Sequence, residues 1–344
     1  MTKELKFHNL NPNGVVLVIV LWVITILSVI VLEFCFAMRT EMNLTKNFKE
    51  DIECYAMAEG GIERAILELI YKNDLMVQTI RKTLKQEDTS SKDKEWLTDG
   101  RPYTLSYSNG TCEIRIMGEG GKLNINRISE AFLRRIIGNL GLEDEKRDII
   151  VDSILDWRDP DDFYRLNGAE NDYYQSLKEP YQCKNGNLDS IEELLLIRGV
   201  IPEIFYGKSS IGENGEAKVD QVGLRDIFSI YSIGEQIDIN SATPFLLRYG
   251  LGIPEDISQL IYNARGEKPF ENQADLLRRV PEINPLWQDI SRFILFRTNI
   301  PYYTIEVKAK KKEGKLLRGV KTIVKIDPRE EKGYKIIQWI DVAR

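Results

Sequence analysis

The feature that most constrains this chain is an apolar run near its N-terminus. From Val15 to Leu32 every residue is apolar except Thr25 and Ser28. A helix over this run is about 27 Å long at 1.5 Å per residue, close to the thickness of a bilayer core. A cleavable secretory signal has a shorter apolar core followed by small residues, and no such cleavage site follows here. The run therefore predicts a membrane-spanning helix that stays in the mature protein.

The helix is predicted to continue beyond the membrane as an amphipathic rod. Apolar side chains recur at roughly helical spacing from Met42 to Leu69, and charged residues fill the gaps. Lys3 and Lys6 precede the apolar run, and positive charge near a first span keeps that end in the cytoplasm. We therefore expect a single-pass inner-membrane protein with a cytoplasmic N-terminus and a periplasmic body. A plain signal-anchor fits the same topology and stays open as an alternative.

Charge and histidine content argue against several classes of function. The formal net charge is −6, whereas a surface that binds nucleic acid needs an excess of lysine and arginine. The one histidine, His8, precedes the apolar run, so the body has none for a Ser-His-Asp triad or a zinc site. We therefore expect a protein that is not an enzyme and that has no nucleic-acid partner.

The body is predicted to have an α+β fold. Residues 101–118 have the pattern of a β-hairpin, and apolar and polar residues alternate over 303–310, as in a half-buried strand. The sequence between these stretches is helical and rich in loops. We interpret this order as one antiparallel sheet that is interrupted by an inserted helical domain at 122–298. Two unrelated small sheets are the alternative.

The insertion contains a weak internal repeat. Residues 122–142 and 237–257 each carry an Ile-Asn pair, then an amphipathic helix and a Leu-Gly turn. This order resembles a helix-hairpin-helix unit, whose DNA-binding versions present backbone N–H groups to a phosphate. Here Pro254 removes one such donor, and Glu255 with Asp256 would repel a phosphate. We therefore predict a packing module, with a membrane-anchored DNA-binding protein as the main rival.

An acidic tract in the first half of the insertion predicts a calcium site. Six carboxylates fall within 17 residues around Pro160 and Asn167-Gly168, and a flexible loop can direct such oxygens onto one hard cation. The order of an EF-hand is absent. Solvent-facing turn and cap residues, or a paired-carboxylate glycosidase site, are the alternatives. The predicted ligands are Asp156, Asp159, Asp161, Asp162, Glu170 and Asp172.

Cysteine spacing excludes a zinc ribbon and a thioredoxin motif, because no CxxC occurs. In an oxidising compartment Cys112 and Cys183 are candidates for a disulfide, with Cys54 left over. Unpaired, buried cysteines are an equal alternative.

The N-terminal leader resembles the prepilin signal of type IV pilins and type II secretion pseudopilins. In that family a short polar leader ends in glycine, here Gly14, directly before the apolar helix. The resemblance implies that a prepilin peptidase cuts between Gly14 and Val15 and methylates Val15. Most members carry glutamate at the fifth mature position, where this chain has Ile19. A subunit at the filament tip has no neighbour above it, so an apolar residue there avoids an unpaired buried charge.

The body resembles the general secretion pathway protein K family. The segments that carry this resemblance are DWRDPDDFYRLNGAENDYY, GKLNIN, SIEELLLIRGV and INSATP. The resemblance implies a type IV pilin-like fold with a large inserted all-helical domain, and calcium as a cofactor bound in that insertion. It also implies a tip complex with the I-class and J-class minor pseudopilins, in contact with other pseudopilins.

The implied function is to cap the type II secretion pseudopilus, to initiate its assembly and to support export of folded proteins. A minor pilin of a type IV pilus is the nearest alternative. The predicted parts are a leader at 1–14, a membrane-embedded helix at 15–38, the rest of that helix with the first part of the pilin-like domain at 39–121, the insertion at 122–298, and strands that complete the sheet at 299–344.

Overall fold

The computed structural model describes residues 12–73, 79, 96–211, 217–312 and 317–343. The first eleven residues of the predicted leader, which include His8, lie outside the described residues. The first described element is one long helix. A five-stranded sheet follows, and the chain leaves that sheet once for an insertion before it returns to complete it.

Helix α1 (Pro12–Asn73) is continuous over 62 residues, which makes it about 93 Å long. Its apolar N-terminal part, where side chains are described, is exposed and packs on no other described part of the chain. The glycine pair Gly60-Gly61 does not interrupt the helix. A Cβ atom on Gly61 would lie 2.8 Å from Cys112 Sγ, so this glycine lets the helix approach the sheet closely.

The strands of the main sheet are β1 (Asp99–Ser106), β2 (Gly110–Gly118), β9 (Tyr302–Lys311), β10 (Leu317–Ile326) and β11 (Tyr334–Ala343). They lie side by side in the order β1-β2-β9-β10-β11, and all neighbouring strands are antiparallel. The predicted long helix and antiparallel sheet are confirmed. The alternative of two separate sheets is wrong, because β2 pairs directly with β9, with Ile114 opposite Val307.

The C-terminal half of α1 and one face of the sheet form the first core. Cys54, Ala58, Ile62 and Leu69 recur at helical spacing and are buried against the sheet. Alternate strand residues meet them, which is the period of 2 that a half-buried strand requires. Helix and sheet therefore form a two-layer α/β unit whose contact depends on small residues in the helix.

The insertion between β2 and β9 has its own, larger core. Its helices are α2 (Glu130–Asn139), α3 (Asp144–Arg158), α4 (Asn171–Gln175), α5 (Pro202–Tyr206), α6 (Leu224–Ile227), α7 (Pro244–Leu251), α8 (Glu255–Glu267), α9 (Gln273–Arg279) and α10 (Trp287–Ile290). Short 3-10 helices span Glu119–Gly121, Ile191–Leu196, Pro281–Leu286 and Ser291–Phe293.

The prediction of an all-helical insertion is wrong in detail. Three two-stranded pairings occur in the described part of the insertion: β3 (Leu123–Asn124) with β6 (Phe228–Ser229), β4 (Gly207–Ile211) with β5 (Ala217–Val222), and β7 (Ile237–Asp238) with β8 (Ile294–Leu295). Two of them are two residues long, which is too short to produce a recognisable alternation in the sequence.

The two segments of the weak internal repeat adopt the same local geometry. The side chain of Asn124 accepts a hydrogen bond from the backbone N–H of Asn126 at 2.9 Å, and Asp238 accepts one from Asn240 at 2.9 Å. Ser129 and Thr243, five residues after Asn124 and Asp238, cap the N-termini of α2 and α7.

Asn126 and Asn240, at equivalent positions of the two segments, each hold a distant loop by hydrogen bonds. Asn126 donates to the carbonyl of Leu188 at 2.9 Å and accepts its N–H at 2.8 Å. Asn240 does the same with Phe270, at 2.9 and 2.7 Å. The helix pairs that follow turn at glycines with positive φ, 72° at Gly141 and 71° at Gly252.

A buried ion pair joins the insertion to the sheet. Arg265 of α8 donates to Asp99 of β1 at 3.0 Å and to the carbonyl of Ile239 at 2.7 Å. Arg101 contacts the same carboxylate at 2.7 Å. Burial alone would raise the pKa of Asp99, but the Arg101 hydrogen bond and the charge of Arg265 together hold it below its usual value.

Candidate functional site

The acidic tract begins at the end of α3 and turns back on itself. Asp159 closes the helix, and Pro160 prevents its continuation. Asp156 lies in the last turn with no exposed surface. Gly168 packs directly against it, because a Cβ atom there would overlap the Asp156 carboxylate. The loop is therefore folded over the carboxylate of Asp156.

Arg165 lies inside this loop and pairs with two of the carboxylates. Its Nη1 is 2.7 Å from Asp156 Oδ1 and 2.5 Å from Asp159 Oδ2. Its backbone N–H also points to the Asp156 carboxylate at 3.3 Å. Burial raises the pKa of Asp156 above its usual value even though Arg165 lowers it. The guanidinium thus acts as the resident counter-ion of the tract.

Glu170 is the least satisfied carboxylate of the tract. It is 1% exposed, and neither of its oxygens has a hydrogen bond of acceptable geometry within the described chain. Burial, followed by the charges of Asp156 and Asp159, raises its pKa to about 7, although the nearby Cys183 thiol lowers it slightly. A buried carboxylate without a donor costs free energy unless a proton or a cation neutralises it.

Two further buried oxygens in this region lack a donor. They are Asp159 Oδ1 and Asn185 Oδ1. The Asn185 amide nitrogen donates to Asp162 Oδ1 at 2.8 Å, so the Asp162 carboxylate lies beside the Asn185 side chain. Asp162 also contributes to the raised pKa of Glu170. Carboxylate and amide oxygens without donors form the ligand type that Ca²⁺ prefers.

The remaining predicted ligands face solvent. Asp161 accepts a hydrogen bond from the backbone of Phe163 at 3.0 Å, and Asp172 accepts one from Tyr173 at 2.8 Å. Within the ranges that the structure describes, no group of three or more His, Cys, Asp or Glu side chains is arranged to hold a metal as it stands. Asp156, Asp159, Asp162 and Glu170 are the predicted ligands that interact with one another, with Arg165 between the first two.

Three residues that help to form the acidic loop were not predicted from the sequence: Arg165, Asn185 and Asp152. Asp152 accepts the backbone N–H of Asn167 at 3.1 Å and so anchors the returning loop. Asn185 has a φ of 47°, and its Asn-Gly pair with Gly186 is a turn signal that could have been noticed. Arg165 lies within the acidic tract, and its position there could have predicted an ion pair with the neighbouring carboxylates.

The predicted Cys112–Cys183 disulfide is absent from the structure. All four cysteines are free, and the two candidates lie in different cores. The Cys112 thiol points between α1 and the sheet, where it donates to the Met57 carbonyl at 3.5 Å. Burial raises the pKa of Cys112 to about 12 and that of Cys183 to about 11, so both thiols are protonated at neutral pH.

The candidate membrane span lies in the first half of α1. The segment Val16–Lys72 contains a window apolar enough to cross a bilayer, and that window is not buried inside the protein. Gly14 and Val15, the predicted cleavage site, lie near the start of the helix. Beyond the span, Met42, Phe48 and Ile52 remain exposed on the rod. Cleavage and methylation stay predictions.

The two glycine turns of the insertion lie beside each other. Arg135 of α2 donates to the carbonyl of Leu251 at 3.0 Å, just before the Gly252 turn. The helices that follow begin with their own acids, Asp144 in α3 and Glu255 in α8. These carboxylates occupy the helix N-termini at which a phosphate would bind, which argues against a DNA interface. The helix-hairpin-helix interpretation itself stays a prediction.

A long helix on an antiparallel sheet, with one apolar end exposed, defines an α+β protein with one candidate membrane-spanning helix. Residues 118–206 match the family model described as type II secretion system (T2SS), protein K. The chain is 26% identical over 198 residues to the type II secretion system protein K of Pectobacterium carotovorum subsp. carotovorum, covering 56% of this chain and 58% of that protein.

Further comparisons agree. The protein of the same name from Pseudomonas aeruginosa is 22% identical over 291 residues, covering 82% of this chain and 80% of that one. A chain of the GspK-GspI-GspJ complex from the enterotoxigenic Escherichia coli type 2 secretion system matches with a TM-score of 0.55 and 13% identity, over 88% of this chain and 100% of that chain. The structural match shows the fold. Together the comparisons confirm the predicted resemblance to the protein K family of type II secretion.

Proposed function

We propose that this chain is a structural minor pseudopilin that caps the tip of a type II secretion pseudopilus, starts its assembly and supports export of folded proteins. The observation that carries the proposal is the large insertion between two neighbouring strands of the sheet, whose first part matches the protein K model. A body of this bulk above the helix would oppose the stacking of another subunit on top. The role is one of assembly, and no catalytic step is assigned to it.

Helix α1 provides the packing surface for this role. Its first part would anchor the chain in the inner membrane, and the exposed Met42, Phe48 and Ile52 would pack on helices of partner subunits. Ile19 leaves the membrane-embedded helix without the carboxylate that neutralises a neighbour's amino terminus in shaft subunits. With Ile19 the helix carries no unpaired buried carboxylate at this position, which fits a subunit that has no neighbouring subunit above it in the filament.

The partners proposed are the I-class and J-class minor pseudopilins. The support is the match to a chain of a complex described as GspK-GspI-GspJ. The decisive experiment is co-purification of the full chain from membranes with tagged I-class and J-class partners, together with a secretion assay in a strain that lacks the gene. Retained secretion in that strain, or no co-purification from intact membranes, would refute the tip role.

We further propose that a prepilin peptidase removes residues 1–14 and that Val15 is the methylated mature N-terminus. The support is the polar leader ending in Gly14 directly before the apolar run. Mass spectrometry of the N-terminal peptide from the assembled protein tests this. An N-terminal peptide that retains Met1–Gly14 would contradict it.

Calcium is proposed as the structural cation of the acidic loop. The donor-free oxygens of Glu170, Asp159 and Asn185, with Asp162 beside them, would hold it, and Asp156 would support them. The cation would supply the positive charge that these buried oxygens lack. Hydrogen bonds to Asp152 and from Arg165 already close the loop. Calcium binding would therefore require the Arg165 side chain to move locally. Unfolding of the E170Q variant with and without calcium tests this site.

A further inference from the structure

Three large apolar side chains of the acidic loop face solvent. Phe163 is 82% exposed, Tyr164 51% and Leu166 95%. Outside α1, no other large apolar side chain in the described ranges is more than 51% exposed. We call Phe163, Tyr164 and Leu166 the apolar tip. A soluble surface rarely gathers large apolar groups in one place unless a partner covers them.

The fold holds the apolar tip outward. Arg165, which lies within the tip in sequence, turns inward, and its Nη1 is 2.7 Å from Oδ1 of the buried Asp156. After the tip, the backbone N–H of Asn167 donates to the buried Asp152 at 3.1 Å, and Gly168 packs directly on the Asp156 carboxylate. The tip side chains cannot turn inward without breaking these contacts. Their exposure is therefore a built-in property of the loop.

The residues that precede the tip make its border acidic. Asp161 and Asp162 come directly before Phe163, and both are exposed. Asp161 accepts the backbone N–H of Phe163 at 3.0 Å, and Asp162 accepts the Asn185 amide at 2.8 Å. Neither carboxylate forms an ion pair within the described residues.

The cations of this region are already engaged. Arg165 and Lys184 each contact two carboxylates of this chain. Arg158, at the end of α3, donates to two backbone carbonyls at 2.7 Å each. The negative charges of Asp161 and Asp162 are therefore left uncompensated beside the apolar tip.

We propose that the apolar tip docks into an apolar pocket of a partner protein, and that lysine or arginine borders this pocket. Aromatic and aliphatic side chains that enter a pocket supply most of the binding energy of an interface. Lysine or arginine at the rim would face Asp161 and Asp162, and such charge complementarity steers the encounter and selects the partner.

Other occupants fit the apolar tip less well. Its acidic border would repel an anionic lipid surface and a nucleic acid. A second copy of this chain offers no matching pocket at Arg135 and Arg292, because the clefts that these arginines line also hold Glu235 and Asp289. Charge therefore favours a different protein, and it favours one with a basic rim.

The first experiment places the photoreactive residue p-benzoylphenylalanine at Phe163 of the full chain, in cells of the strain that carries its gene. The matched control has the same residue at Phe245 of α7, which is 44% exposed. We expect a light-dependent crosslink to one protein from position 163 and none above background from position 245. The crosslinked peptide, identified by mass spectrometry, should contain apolar residues with lysine or arginine among them.

The second experiment measures the affinity of that purified protein for the full chain in detergent micelles. Binding should weaken at least about tenfold in F163S/L166S, because two large apolar contacts are lost. It should weaken about two- to fivefold in D161N, and added salt should reduce that difference. F245S should bind as the wild type does, and thermal melts of all variants should agree, since the changed side chains are exposed.

Several results would overturn the proposal. A crosslink yield at position 163 no higher than at position 245 would show that nothing covers the tip. A crosslink to lipid would replace the partner protein with a membrane, and a covalent dimer of this chain would replace it with a second copy. A crosslinked peptide rich in aspartate or glutamate, or wild-type affinity in F163S/L166S, would remove the proposed pocket.

Discussion

Replacement of Glu170 by glutamine should have opposite effects on stability with and without calcium. The carboxyl group is buried and its pKa is raised from 4.5 to about 7. A shift of this size corresponds to about 3 kcal/mol, at 1.36 kcal/mol per pH unit. The folded state then binds more protons than the unfolded state between these two pKa values. Stability of the calcium-free protein is therefore expected to fall as the pH rises from about 4.5 to about 7.

Glutamine has nearly the same shape and cannot ionise. Above pH 7, and without calcium, E170Q should be more stable than the wild type by up to about 3 kcal/mol, and the difference should vanish near pH 4. With calcium the order should reverse, since the wild-type carboxylate is a ligand and the amide is a poorer one. Calcium at 100 times its dissociation constant would stabilise the wild type by about 2.7 kcal/mol.

The assay is denaturant unfolding of the full chain in micelles at pH 4, 6 and 8, with calcium or with chelator. The matched control is E203Q, which removes an exposed carboxylate of α5. An equal response of E170Q and wild type to calcium, or a variant less stable than the wild type in chelator at pH 8, would contradict this role of Glu170. Isothermal titration calorimetry measures calcium binding directly. E203Q should bind calcium as the wild type does, whereas E170Q should bind it more weakly.

Three further outcomes follow from the fold. D99N should destabilise the protein by about 3 kcal/mol or more, because Arg265 would remain buried beside a neutral amide, and denaturant unfolding measures this. G61V should cost about 1 to 3 kcal/mol, since its side chain would overlap Cys112 Sγ and Val307, whereas the nearby exposed E59A should leave the melting temperature almost unchanged. Reducing agent should not lower the melting temperature, because all four cysteines are free; a drop of several degrees would show that a disulfide had formed.

The long helix and the split sheet could be predicted because both depend on local periodicity. Apolar residues at helical spacing lead directly to α1, and alternation over 303–310 leads to β9. A single interrupted sheet was predicted from the order of elements, because a helical segment lies between two strand-rich stretches; the pairing of β2 with β9 within that sheet comes from the structure. The two-residue strands of the insertion could not be predicted, because a stretch of two residues is too short to show an alternation of apolar and polar residues.

The acidic loop was predicted only in part because spacing does not determine side-chain direction. Asp161 and Asp162 are adjacent and both exposed, yet Asp162 is drawn toward the buried group by Asn185, which lies 23 positions away. Glu170 is buried by packing of the whole loop, which no local pattern reveals. The disulfide prediction failed for the same reason, because assignment of Cys112 and Cys183 to separate cores is a property of the tertiary fold.

The position of the insertion has a consequence for folding order. Strands β2 and β9 are adjacent in the sheet, but residues 119–301 lie between them in the chain. Closing so long a loop costs entropy before the strand pair returns any stability, and contacts of this kind slow folding. The insertion has its own core, so it can collapse first and bring the ends of β2 and β9 together. Until then the sheet-facing side of α1 stays uncovered, so a chaperone would have its longest opportunity to bind there.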